Sequence, residues 1–337
     1  MYNFLGVCLA LALLLTVNAL ASVATTIAWR FISRLAKNQS AATRSRLIFI
    51  LRIFPALAAF LAVVILLIPS YLAFEPIQTE ETVSYKLGLL AFFSAVGIAL
   101  AFWRGLATWL ATKRLVSDWQ THSEIVRLEN LPIPAYRITH QFPVVAVIGV
   151  VRPKLFVANQ IFEALNAEEL TAVIAHETAH VTTRDNLKHW LMRICRDVLV
   201  IFPYSRVVDK EWAEAIELAA DEQAAGRKSH MALDLAQALI KIARLIPVGI
   251  DPTMPAGAFL IDGKVETGDA LAWRVRRLTQ LAEANLNDAG KGRERFLTAL
   301  SWACFGVLLL VIVGTATNTD VLTAMHTGIE RVVAFLS

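Results

Sequence analysis

Residues 4–29 carry no charged side chain. A run of that length crosses a hydrocarbon core about 30 Å thick when it is helical. A secretory signal peptide is the rival reading, but no positive charge precedes the run and it exceeds an ordinary signal-peptide core. Composition argues the same way. The chain of 337 residues is 56% hydrophobic and only 18% charged, against a usual quarter, so part of it sits in lipid.

Charge bias orders the remaining segments. Arg30, Arg34, Lys37, Arg44 and Arg46 crowd a short loop without acids, and such loops stay cytoplasmic, which puts the N-terminus outside. Residues 47–68 form a second span, with Arg52 snorkelling from its inner end to the headgroups and Pro55 able to kink it. The loop 69–86 sets Glu75, Glu80 and Glu81 against Lys86 and belongs outside. A third span, 87–111, has Arg104, Lys113 and Arg114 at its inner end. The expected order is then a cytoplasmic domain over 112–295, a fourth span over 296–316, and an outer tail over 317–337, too short for a separate domain.

The chemistry is concentrated in His176-Glu177-Thr178-Ala179-His180. Asn166 and Glu169 read as a capping box, and Leu170, Val173 and Ile174 follow at helical spacing. On a helix the two imidazoles stand one turn apart on one face and can share one metal ion. Glu177, rotated by about 100°, stays outside that pair but near enough to accept a proton from a water on the metal. A second helix is expected from about 210 to 225, stopped by Gly226. It carries Glu217, the candidate third ligand, completing a two-His, one-Glu set that suits catalytic Zn2+. Asp221, one turn on, is placed to accept the free ring N–H of a ligand histidine. Pro203, in the connection 201–205, lets the chain turn back so that 217 approaches 176 and 180.

Other segments supply supporting parts. The runs 133–138, 143–149 and 153–157 read as a small sheet, and an edge strand within 143–149 or 154–158 is the candidate rail for an extended peptide. Arg227 and His230, just past the Glu217 helix, are candidate oxyanion donors, with a solvated helix cap as the bland alternative. Residues 248–269 form a long loop. A helix over 270–284 bears Arg274, Arg276 and Arg277, expected against an anionic leaflet or in solvent. Cys8, Cys195 and Cys304 show no paired spacing and read as small buried residues. The net charge of +4 comes without a basic stripe, which leaves nucleic acid binding unsupported.

The runs His176-Glu177-x-x-His180, Arg184-Asp185-Asn186, Phe202-Pro203 and Glu217-x-x-Ala220-Asp221, with Pro153-Lys154-Leu155-Phe156-Val157 upstream and Arg274-Val275-x-x-Leu278 downstream, resemble the integral-membrane zinc metallopeptidases of the beta-lactam sensor/antirepressor family. They are also similar to the prenyl-protein and heat-shock membrane endopeptidases. The resemblance implies a mainly α membrane protein of the bacterial inner membrane. Four transmembrane helices would carry an inserted α+β zincin-like metalloprotease domain that cuts a protein or peptide substrate. Sensor members carry an extracytoplasmic ligand-binding domain after the last span. The short tail expected here takes antibiotic sensing out of the expectation. A zinc-binding membrane signalling protein that does not cut its partner is the alternative.

Overall fold

The computed structural model describes residues 2–36, 39–74, 83–129, 131–197, 205–226, 228–246, 268–284 and 318–336, with Gly314. Three of its helices are long and apolar enough to cross a membrane: Tyr2–Arg34, Ala41–Phe74 and Tyr85–Thr121. The first lies in α1 (Tyr2–Ala36). The second runs from α2 (Ala41–Leu61) through a π-helical stretch, Ala62–Leu67, into α3 (Ile68–Phe74). The third is α4 (Tyr85–Thr121). Ser40 and Ser84 start α2 and α4 by accepting the N–H of Thr43 and Leu87, donors that a helix start leaves without partners.

All three helices overrun the apolar runs that locate them. Hydropathy marks where lipid begins, whereas a helix continues until a breaker stops it, and no Gly or Pro lies between 106 and 121. Pro55 is accommodated inside α2. The spans pack through small and aliphatic residues, Leu5, Cys8, Leu9 and Ala12 of α1 meeting Val63, Leu67, Tyr71, Leu87 and Ala91. Gly6 permits this approach, since a Cβ there would stand 2.9 Å from the Tyr71 ring. The fourth expected span, 296–316, lies outside the described residues apart from Gly314, and so does most of the loop 248–269 and of the connection 201–205.

Beyond α4 comes a four-stranded sheet of order β1-β2-β4-β3. Strands β2 (Ala135–Ile138), β3 (Val145–Ile148) and β4 (Lys154–Ala158) fall in the three expected runs. The sequence reading missed β1 (Ser123–Val126), a short edge with two exposed residues. β2 pairs parallel with β4, and both outer pairs are antiparallel. β4 is therefore interior, which removes 154–158 as a rail and leaves β3, one of the two edge strands, as the candidate. Gly149 closes the β3–β4 turn at φ 117°, where a Cβ would meet the Arg152 carbonyl oxygen at 2.9 Å.

Helices follow the sheet: α5 (Asn159–Ala164), α6 (Ala167–Thr183), α7 (Asp185–Asp197), α8 (Ser205–Ala225), α9 (Ser229–Leu245) and α10 (Gly268–Ala284). The core joins Leu155, Phe156 and Ile161 to Val173, Leu235, Leu239 and Leu278. In α6 the capping box is complete, with Asn166 Oδ1 accepting from Glu169 N–H at 2.8 Å and Glu169 Oε2 accepting from Asn166 N–H at 2.9 Å. Arg184, at φ 56°, ends α6 in the left-handed region. That single residue turns the chain directly into α7. Within the expected tail, 317–337, the described residues include a helix, α11 (Thr319–Leu336), which packs on α3, where Ser70 Oγ donates to the Leu322 carbonyl at 2.9 Å.

The helices of the domain are bolted to the spans. Arg52 does not snorkel free to headgroups; its Nε donates to Asp209 Oδ1 of α8 at 3.3 Å. Trp29, Ile48, Met192, Trp212 and Ala215 form one buried cluster from α1, α2, α7 and α8. Trp190 of α7 donates its indole N–H to the Gly105 carbonyl of α4 at 3.2 Å. At the far end of α4, Gln120 accepts from Lys154 Nζ at 2.6 Å and donates to Tyr136 Oη at 2.7 Å, tying that helix to β4 and β2.

Candidate metal centre

Helical periodicity puts His176 and His180 on one face of α6, and their Nε2 atoms converge to 3.1 Å. Glu217, from α8, closes the third side, with its oxygens 3.5 Å from Nε2 of His176 and 3.6 Å from Nε2 of His180. All three donor atoms lie within 4.8 Å of one another. Donors bound to one tetrahedral ion at 2.0–2.1 Å stand about 3.3 Å apart, so this set fits a single ion with a fourth position to spare.

The ring nitrogens that face away from this point are also held. Nδ1 of His176 is 2.9 Å from Asp221 Oδ1, and Nδ1 of His180 is 3.0 Å from Asp185 Oδ2. Lys188 Nζ in turn steadies Asp185 at 3.0 Å. A carboxylate on the outer nitrogen fixes the ring's orientation and tautomer and leaves the inner nitrogen as a lone-pair donor. The Asp221 contact was expected from sequence. Asp185 was not, because its approach depends on the left-handed turn at Arg184, although it stands in one of the runs quoted for the resemblance.

Arg274 corrects a second expectation. Instead of facing lipid or solvent, its side chain is 4% exposed. It grips Asp221 through Nε to Oδ2 at 2.9 Å and Nη2 to Oδ1 at 2.8 Å, and its Nη1 reaches Glu217 Oε2 at 3.3 Å. One guanidinium thus aligns the carboxylate beside His176 with the candidate third ligand.

Glu177 is buried next to the two histidines. Its Oε2 accepts the Val147 N–H from the edge strand at 3.1 Å, while its Oε1 has no hydrogen-bond partner among the described residues. The carboxylate is therefore aimed by β3 with one oxygen free to take a proton. Asn186 fixes the same strand by donating to the carbonyls of Val147 at 2.8 Å and Gly149 at 3.1 Å.

Electrostatics favour a cation here. Among the described residues, the fixed cations that Glu177, Glu217, Asp221 and Asp185 face are Arg274 and Lys188. Burial alone would lower the His176 pKa, but Asp221 and Glu217 outweigh it and push it up to about 10. His180 is raised likewise, burial being overcome by Asp185 and Glu217. Burial also raises Glu177, partly offset by the two imidazoles. In Glu217, Asp221 and Asp185, burial is outweighed by the neighbouring histidines together with Arg274 or Lys188, and each carboxyl is held below its ordinary value. Excess negative charge around two inward-facing nitrogens is balanced by protons or by a divalent ion.

Of the two candidate oxyanion donors, His230 is exposed in the first turn of α9. Among the described residues no hydrogen bond or ion pair joins it to the site. Arg227 lies outside the described residues.

Paired histidines with a carboxylate from a neighbouring helix, in a chain with three membrane-length helices, define a membrane protein of the metallopeptidase type. More narrowly, residues 76–254 match the family model described as BlaR1 peptidase M56, and the chain belongs to that family. The match takes in the three donors, Glu177, Asp185 and Asp221, and ends before Arg274. A search of curated proteins found no match.

Proposed function

We propose that the chain is a zinc-dependent endopeptidase that hydrolyses peptide bonds of a protein substrate on the cytoplasmic side of the bacterial inner membrane, as a regulator in a signalling pathway. The observation that carries this reading is the convergence of His176, His180 and Glu217 beside a buried Glu177 with one unpartnered oxygen. Zinc in that position supplies Lewis acidity toward the scissile carbonyl and lowers the pKa of a coordinated water toward 7.

The chain's residues do the rest. Asp221 and Asp185 hold the outer ring N–H groups of His176 and His180, which aims the inner nitrogens at the metal position, where a bound ion would take the place of their protons. Glu177 accepts a proton from the attacking water on its free oxygen and returns it to the leaving amine. Val147 N–H holds the other oxygen so that the carboxylate cannot swing away. Residues two apart on β3 face the same way, so Val145 shares the outward direction of Val147. With both polar groups of Val147 engaged, Val145 is the position on β3 to which this reading assigns main-chain pairing with an extended substrate.

The test is a comparison of cellular peptide termini between active protein and Glu177→Gln, with metal content measured in both. New termini lost in the variant at unchanged zinc support the reading. Identical termini at unchanged zinc would instead favour a non-proteolytic signalling role. Orientation rests on the basic bias of loop 30–46 against the acidic loop 69–86, and labelling from the outer face is expected at Thr79→Cys but not Ser40→Cys.

A further inference from the structure

We infer that the candidate metal centre lies at the membrane surface, and that its substrate is a juxtamembrane segment of a membrane-anchored polypeptide. The inference rests on the peptidase reading for what is cut, and on geometry alone for where.

Two separate attachments bound the distance from the site to the lipid. The first runs through α8. Ala215 and Ile216 pack with Ile48 and Leu51 at the start of the second span, and Glu217 is the next residue. The Arg52–Asp209 pair shows how deep this contact goes, since Arg52 is already inside the apolar stretch of α2 and Asp209 on α8 meets it there. Val207, one turn-half earlier, is 52% exposed, as a side chain facing lipid would be.

The second attachment runs through α7. Asp185, which holds His180, is five residues from Trp190, whose indole is bonded to Gly105 in the basic boundary zone of the third span. At 1.5 Å rise per residue these steps are about 3 Å and about 8 Å along the helices. These are spacings along each helix axis, to which the reach of the side chains is added. Allowing for side-chain reach, the first route keeps Glu217, and with it the donor cluster, within roughly 10 Å of the boundary, and the second route, which is longer, ties the same cluster to the third span.

A site so placed selects by position. An extended peptide advances 3.3–3.6 Å per residue, so a bond about three to eight residues from a membrane anchor lies level with the centre, once headgroup depth is allowed for. A bond thirty residues out must return to the surface to be cut, and a free peptide must find the surface unaided.

The experiment uses the full chain with zinc in lipid nanodiscs. The substrate is an unstructured peptide of repeated identical sequence with a doubly acylated end, and cut positions are read by mass spectrometry. Since every bond shares one anchor, membrane partitioning cannot produce a positional bias. Cuts concentrated in the first three to eight residues, with the non-acylated peptide cut at least tenfold more slowly, support the inference. Even cutting along the ladder, or cutting mainly beyond about fifteen residues, overturns it.

A companion measurement does not depend on activity. A fluorophore on Thr182→Cys, an exposed position two residues past His180, with Cys8, Cys195 and Cys304 replaced by Ala, should be quenched by headgroup-labelled lipid at a distance of about 10–20 Å. No quenching overturns the placement. Strong quenching with no cutting of either peptide by the zinc-loaded protein upholds the placement but removes the peptidase reading, and with it the proposed substrate.

Discussion

Arg274 and Asp221 form a buried two-point ion pair, at 2.9 and 2.8 Å, between side chains 4% and 2% exposed. Taking one partner from such a pair leaves a buried charge unpaired, at a cost of about 3–5 kcal/mol. Arg274→Met is expected to lower unfolding stability by about that amount and to reduce zinc content, since Glu217 and Asp221 lose a shared cation. Arg274→Lys keeps the charge without the two-point geometry and should fall between the two. Denaturant unfolding in detergent and metal analysis read the result, and wild-type values for Arg274→Met would refute it.

Asp185→Asn should preserve the fold and weaken metal affinity by about 10–100-fold, because His180 loses the anion that orients its ring. Competition against a chelator measures this. His176→Ala, which removes a donor outright, is expected to lose the metal; full retention would break the ligand assignment.

Glu169 links pH to stability away from the metal. Burial pushes its carboxyl up, but hydrogen bonds from Lys241 and the Asn166 N–H prevail and hold it below the ordinary 4.5. The unfolded chain then binds the proton more readily. The contribution is complete above about pH 4.5 and fades as the pH falls through the lowered folded-state value. Unfolding midpoints of Glu169→Gln and wild type should therefore differ most near neutrality and converge toward low pH. A gap that widens on acidification would contradict the assignment.

Val145→Pro removes an N–H that points away from the sheet, a change an edge strand tolerates. Cleavage of an unstructured peptide is expected to fall at least tenfold at unchanged zinc content, with a lower melting temperature because the Val145 side chain is part of the core. Val147→Pro should cost more in kcat, since Glu177 loses the bond that aims it, toward the lower part of the 10²–10⁴-fold range of general-base contributions. Full activity in Val145→Pro would put the substrate elsewhere.

Gly149→Ala tests the turn behind that strand. With φ at 117° and a backbone oxygen 2.9 Å from the added Cβ, the substitution should destabilise the domain by about 1–3 kcal/mol. Thermal unfolding at unchanged metal loading is the measure.

Much of this protein is written locally in its residues. A predominantly apolar run of about twenty residues spans lipid as a helix, with its backbone bonds satisfied within the segment, so the membrane helices were legible from 4–29, 47–68 and 87–111. The facing of His176 and His180 follows from 3.6 residues per turn, and the start of α6 from Asn166 and Glu169. Tertiary structure decided the rest. Arg274 reaches Asp221 across 53 residues, and Arg52 reaches Asp209 across 157. A lone arginine on a helix reads as solvated or snorkelling until packing supplies its carboxylate. Asp185 comes to His180 only through the left-handed turn at Arg184. Hydropathy and helical period are carried by neighbours along the chain, whereas a buried charge takes its meaning from whichever element folds against it.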